Sequence, residues 1–451
     1  MLEEQSTKAK AAMPVVVVGG GIAGMVTAQL LRQSGCDVTL VEQESTLGGK
    51  VAGVTLDNGD VVDGFHMSIY DRDADLLQTL RDLRVDYDFV SSSARFGFFS
   101  EGQPYALKGI RDLLRFDPVS LRQRIKLGLF GTGFAENANG LTHKLDRTLG
   151  LSWLKERFDD AVIQRFWHPV VRAKMGRAAE AMSALWVHNR ISYASKVMDT
   201  RLVRVKGGMR AIVRAATIDL DRLGVRILNN FHVDSVAIGP SRVSVKGPAG
   251  EIHGRRVVLA VPTNIAHEML AAGGVPSIGA LSISEYLNAR VGVFGVMQPL
   301  GLPLHTVIDD DSIPFDLLIA PPWSVDASGK GVVYAVRTGV QEPEDPGSDD
   351  SILARMVVGV EKVAPEILVG NRIAGRRLLR WENYEPICGP GFLKRKPPFE
   401  LAPGQLYMVN ACQAYPLAPS LNNTVALAGR CVERIVSRER WESSAAANKK
   451  S

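Results

Sequence analysis

"VVVVGGGIAGMVTAQLLRQSGCDVTLVEQE" runs from Val15 to Glu44. The four valines, Val15 to Val18, show no polar alternation, which is how a strand buried on both faces of a parallel sheet reads. Gly19, Gly20 and Gly21 follow at once. Ile22, Met25, Val26, Ala28, Leu30 and Leu31 then recur at helical spacing, and "DVTLVE" is a second strand that ends at Glu42. Strand, glycines, helix and strand make a βαβ unit of about 30 residues.

Gly19, Gly21 and Gly24 fit G-x-G-x-x-G. The first permits a tight turn, the second lets the backbone approach a pyrophosphate, and the third lets helix and strand pack closely. Ile22 and Ala23 open the helix, whose unpaired N–H groups and dipole favour an anion. Glu42 stands at the separation expected of an acid that binds ribose hydroxyls, which favours FAD or NAD over NADP. An ordinary glycine-rich turn need not have these parts in this order. Gly48-Gly49-Lys50 is a second glycine turn with a cation. It suits FAD, whose longer pyrophosphate–ribityl chain needs further donors and positive charge.

From these residues onward the sequence resembles the flavin amine oxidoreductase superfamily, which includes monoamine oxidases, protoporphyrinogen oxidases and phytoene desaturases. The superfamily runs G-x-G-x-x-G, an acid ending the second strand, then L-G-G-R. Here Lys50 replaces the arginine, which keeps the charge and loses the bidentate fork. The segment with Asp63, Gly64, His66 and Tyr70 matches one that passes near the flavin ring. His66 is therefore either a packed core histidine or a candidate catalytic and cofactor-binding residue. The resemblance places Val233 against the adenine. It places Asn410, and the helix start at Asn423-Thr424-Val425 (where E-G-A is usual), near the flavin.

The resemblance implies an α/β fold: a Rossmann-type, glutathione-reductase-like FAD-binding domain with an inserted mixed α/β substrate domain. The expected boundaries are 14–90, 200–262 and 404–440 for the FAD-binding domain, and 91–199 and 263–403 for the substrate domain. It also implies noncovalent FAD, because Cys388 sits in I-C-G-P-G rather than in the S-G-G-C-Y of covalent attachment. Trp381 and Tyr384 supply one side of the aromatic pair that amine oxidases carry, and Tyr384 is the second catalytic candidate. The terminal member of that pair is replaced by Leu421. A more aliphatic mouth points to a hydrophobic or secondary-metabolite substrate, losing a hydride to flavin N5, with O₂ or a quinone as electron acceptor. An amine or amino-acid oxidase is the alternative, and a non-redox flavin isomerase the second.

The remaining sequence bounds these readings. The 451 residues are 46% hydrophobic and 22% charged, with net charge +5, which suits a globular chain and argues against a nucleic-acid partner. The four cysteines lack C-x-x-C spacing, which argues against a zinc site or a disulfide framework. Residues 1–13 lack the apolar core of a signal peptide, and no apolar run reaches the roughly 18 residues of a spanning helix, so a cytoplasmic location is expected. Residues 1–13 and 441–451 read as disordered tails, and Ala161–Ile191 as one long helical stretch. Asp309, Asp310 and Asp311 read as a solvated turn rather than a metal site. Leu107–Gly131 interleaves apolar residues with Arg111, Arg115, Arg122, Arg124 and Lys126, and Pro118 divides it into two helices. That pattern suits a solvated cap helix or a weak peripheral membrane contact.

Overall fold

The valine strand Pro14–Val18 lies at the heart of a six-stranded sheet. Each of Val15–Val18 is at most 2% exposed, and burying such a side chain stabilises the fold by roughly 1.5–3 kcal/mol. Its parallel neighbours are Asp37–Val41 on one side and Arg256–Leu259 on the other. Arg226–Leu228 and Leu406–Met408 extend the parallel order outward, and Glu400–Ala402 closes one edge antiparallel. The molecule is a computed structural model that describes residues 14–91, 96–132, 142–197, 200–276, 279–282, 285–324, 328–339, 347–370 and 372–448.

The helix Ile22–Gln33 buries Met25, Ala28 and Leu31 against this sheet and against the long helix Leu421–Asn448. Gly24 makes that approach possible: a Cβ there would lie 1.8 Å from the Gly19 carbonyl oxygen. The helix ends at Ser34, and Gly35, with φ +87°, turns the chain toward the second strand.

A second, seven-stranded sheet has the order Ile373–Pro386, Tyr286–Val296, Gly331–Thr338, Leu317–Ile319, His305–Asp309, Phe96–Ser100, Gln103–Leu107. Residues alternate along Gly331–Thr338. Val333 and Ala335 face the helix Asp349–Val363, while Val332, Tyr334 and Val336 share a core with Phe65 and Tyr384. Both faces are covered, so the strand reads as an unbroken apolar run.

A third core joins Phe116, Leu127, Trp153, Trp167 and Trp186 from the helices between 110 and 197. Here Ala161–Ile191 is not one helix. A π turn at Ile163–Trp167 leads into His168–Met175, and Gly176, at φ +47°, breaks the chain before Ala184–Val197 begins. A residue with a Cβ at Gly176 would strike the Thr338 carbonyl oxygen at 2.0 Å. Further along the chain, Asn230, at φ +54°, separates the strand Arg226–Leu228 from Ser235–Ile238, which joins a three-stranded antiparallel sheet. One other expectation also changes. Residues 441–448, expected as an unstructured tail, continue the final helix. Extending an existing helix through alanines avoids the nucleation cost. Residues 1–13 and 449–451 lie outside the described residues.

Candidate FAD and substrate site

A cavity of about 1880 Å³ connects the glycine turns to the seven-stranded sheet and the helices before Val197. Pockets for one small molecule run to roughly 300–1,000 Å³, so this one has room for a dinucleotide and a second ligand.

The end at the first sheet is made of backbone. Gly48 N–H donates to the Gly20 carbonyl at 2.9 Å, and Gly21 and Gly48 form an isolated parallel bridge, so the two glycine turns lie side by side. Gly48 has φ +117°, and a Cβ on it would meet Val213 at 2.8 Å. Gly19, at φ +101°, would strike the Ala260 carbonyl oxygen at 2.7 Å in the same way. Gly21 differs: its backbone is extended, at φ −68°, and a Cβ there would meet nothing within 4 Å. That open space lies over the start of a helix with no side-chain cap and no acid in its first turn. A pyrophosphate fits both facts.

Glu42 lines the cavity and also braces the turn, its carboxylate accepting from Gly20 N–H at 2.6 Å and from Glu44 N–H at 2.9 Å. An ionised carboxylate has about four acceptor positions, so capacity remains for ribose hydroxyls. Ile22, Ala23, Gly49, Val233, Asn410 and Thr424 line the same cavity. Gly24, Asn423 and Val425 do not: Gly24 is a packing residue, Val425 belongs to the first core, and Asn423 N–H donates to Ser420 Oγ at 3.2 Å. Asp63 acts at one remove, accepting from the Met209 and Arg210 N–H groups at 2.8 and 3.0 Å to cap the helix Met209–Arg222.

The other end is made of side chains. Lys50 reaches from the second glycine turn, donates to the Tyr384 carbonyl and lies 4.5 Å from the Tyr384 ring centroid and 5.9 Å from that of Trp381. Burial lowers its pKa to about 8 against the pull of Glu385. Phe65 packs edge-on against Tyr384 at 5.9 Å. His66 is buried beside Trp323, its Nε2 has no hydrogen-bond partner among the described residues, and burial lowers its pKa to about 4. It is therefore a neutral imidazole at ordinary pH. Burial pushes the Tyr384 hydroxyl well above its usual range, so it stays protonated.

Lys174, Arg190 and Glu385 line this end too, and no motif marks them in the sequence. Lys174 and Arg190 lie on helices with mixed surfaces, where a cation turned inward looks like one turned to water. Cys388 is buried outside the cavity lining, with its thiol pushed up by burial, which agrees with noncovalent cofactor binding. The three aspartates of the Asp309 turn engage Ser100, Lys362 and Arg172 in sequence order.

The sequence profile of the flavin containing amine oxidoreductase family matches residues 22–367. The chain belongs to this family. The family is one of flavin-containing oxidoreductases, and the two glycine turns offer a place that FAD fits. Carotenoid phi-ring synthase of Chlorobaculum tepidum is 26% identical over 268 residues, 54% of this chain and 40% of that protein. Amine oxidase B of Rattus norvegicus is 30% identical over 95 residues, 21% of this chain and 18% of that protein. The chain thus spans less than half the length of these curated relatives. A solved structure of a putrescine oxidase triple mutant superposes with a TM-score of 0.75 at 18% identity, covering 95% of this chain and 99% of the other. That likeness is one of fold. Among the described residues no helix is long and apolar enough to cross a membrane.

Proposed function

We propose that the protein oxidises an apolar substrate, taking a hydride from a carbon of that substrate to FAD N5, rather than oxidising an amine. The observation that carries this reading is the position of Lys50. The faces of Trp381 and Tyr384, where an amine would be received, already meet the protein's own ammonium group. A second cation brought to the same rings would be repelled in a setting of low dielectric. The walls beyond are apolar: Phe65, Phe98, Val307, Leu317, Ile319 and Leu421. The relationship to a carotenoid phi-ring synthase supports the same substrate class.

Bound FAD supplies the electron sink, and the residues around it supply the setting. The glycine turns and Glu42 hold the cofactor. The aliphatic and aromatic wall orients the substrate and keeps water out. His66, a neutral imidazole in the cavity lining, is the candidate to take a proton from the substrate or hold a hydrogen bond to it. Either O₂ or a quinone serves as acceptor.

We also place the entrance near a membrane. On the helix Leu121–Thr132, Leu121, Ile125 and Leu129 are 57%, 48% and 65% exposed, one turn apart, with Arg122 and Lys126 between them. Leu127 and Gly128 of the same helix line the cavity. An apolar stripe flanked by cations suits an anionic lipid surface, from which an apolar substrate would enter.

The test is anaerobic mixing of the FAD-loaded protein with panels of polyenes, other apolar metabolites and amines, following loss of the oxidised flavin absorbance. The expected result is bleaching by members of the apolar panels. Bleaching by amines, followed by peroxide release in air, would replace this reading with that of an amine oxidase.

A further inference from the structure

We propose that the substrate carries one acidic group, a carboxylate, and that Lys174 and Arg190 bind it. This rests on the reading of the cavity as the place of an apolar substrate, and it narrows that class to apolar acids.

The three charged groups concerned come from three elements. Lys174 stands on the helix His168–Met175, Arg190 on Ala184–Val197, and Glu385 on the strand Ile373–Pro386. All three line the cavity. None comes from the glycine turns or from the sheet that carries them, so cofactor binding does not account for their presence.

Their charges do not balance. Glu385 is the carboxylate that acts on Lys50, Lys174 and Arg190 alike. Its contact with Arg190 is long, at 3.5 Å, and Arg190 Nε is buried with no hydrogen-bond partner among the described residues. Lys174 lines the cavity and has no hydrogen-bond or ion-pair partner among the described residues. Lys50 already donates to the Tyr384 carbonyl. The tyrosines that face the cluster, Tyr193 and Tyr384, are held neutral by burial. Lys50, Lys174 and Arg190 against Glu385 therefore leave an excess of positive charge in an interior that lowers the pKa of all three cations by desolvation. A buried charge without a counter-charge is costly, and an arriving anion reduces that cost.

Arg190 is also pre-positioned. Its guanidinium lies 4.6 Å from the Trp186 ring centroid, which fixes the plane of its donors. Trp186, Val187, Phe166 and Ile191 line the same cavity, so an acid bound here keeps its apolar body in contact with protein. The planar fork of the guanidinium matches the two oxygens of a carboxylate.

Calorimetric titration of the FAD-loaded protein with decanoate, decanol and decyl phosphate tests this. Decanoate should bind about tenfold or more tighter than decanol, the scale of a charge-assisted hydrogen bond. Lys174→Gln should remove most of that advantage and leave decanol affinity and FAD content unchanged. Because Arg190→Gln strands Glu385, the second variant is Lys174→Gln/Arg190→Gln/Glu385→Gln, which removes both proposed donors together with that carboxylate, and it should fold, load FAD and bind the acid no better than the alcohol. Equal affinity for acid and alcohol in the wild type overturns the inference and leaves the apolar reading standing. So does an acid preference that survives both variants. Tighter binding of decyl phosphate than of decanoate overturns the assignment to a carboxylate. Binding of none of the three overturns both the inference and the apolar reading.

Discussion

The two ends of the cavity are built from different material. At the first sheet the ligand-facing surface is backbone, held open by glycines that lie within 31 positions of one another, from Gly19 to Gly49. At the second sheet it is side chains on elements far apart in the chain, such as Arg190 and Glu385, 195 positions apart. Backbone geometry tolerates only one residue type at several positions, so it writes itself into the sequence. A cavity wall tolerates many residue types, and what it binds is set by charge and shape that appear only on folding. The first end is therefore where the family resemblance is strong, and the second is where members of one family can differ in substrate.

The contrast breaks most sharply at the glycines. Gly24→Val drives a side chain into the Gly19 carbonyl and should destabilise the fold by more than roughly 4 kcal/mol. Gly21→Val meets open space, so the melting temperature of the FAD-free protein should barely move while FAD binding is lost. Thermal unfolding with and without FAD separates the two. Equal damage from both would mean that the space above Gly21 is not a ligand site.

At the other end, His66 offers a comparable effect through pH. Its pKa falls from an ordinary 6.5 to about 4 on folding. Between those values the unfolded chain binds a proton that the folded one excludes. Stability conferred above pH 6.5 is thus lost as pH falls toward 4, by roughly 3 kcal/mol in all. In urea unfolding of the FAD-free protein at pH 7 and pH 4.5, His66→Gln should lose roughly 2–3 kcal/mol less than wild type between the two. An identical loss would place His66 in contact with solvent or an acid.

A smaller effect lies at Glu42. Glu42→Ala should weaken FAD by roughly 1–3 kcal/mol, the scale of hydrogen bonds to a charged group. It should also lower the stability of the FAD-free protein, because Gly20 N–H loses its acceptor. Flavin fluorescence titration reads the first and thermal unfolding the second. Unchanged affinity would assign the ribose to another group.

These expectations show what the sequence made legible. Val15–Val18, the glycine spacing and Glu42 locate one end of the site, because a buried parallel strand and a positive φ leave few residue choices. Lys50, His66 and Tyr384 were named from the resemblance, and the structure brings all three to the cavity. Asn423 and Val425 were named with them, yet one side of that helix start is spent on Ser420 and the other on the core. The interrupted helix at Gly176 was missed because the carbonyl that demands glycine there belongs to Thr338, far along the chain. Lys174, Arg190 and Glu385 were missed for the same reason: their proximity is a property of the fold.

The weakest expected effect is at the cap helix. Wild type should co-sediment with anionic vesicles at low salt and be released at high salt, because screening weakens an electrostatic contact. Changing Arg115, Arg122 and Lys126 to Glu should abolish the sedimentation. Identical behaviour of the two proteins would make the exposed stripe at Leu121, Ile125 and Leu129 an ordinary surface.

FAD held without a covalent bond at the backbone end of the cavity would leave the side-chain end for the substrate. The direct measurement is to saturate the purified protein with FAD, remove the excess, precipitate in acid and determine flavin in pellet and supernatant. One FAD per chain is expected, all of it in the supernatant. A protein that retains no flavin, or a pellet that stays yellow, would contradict it.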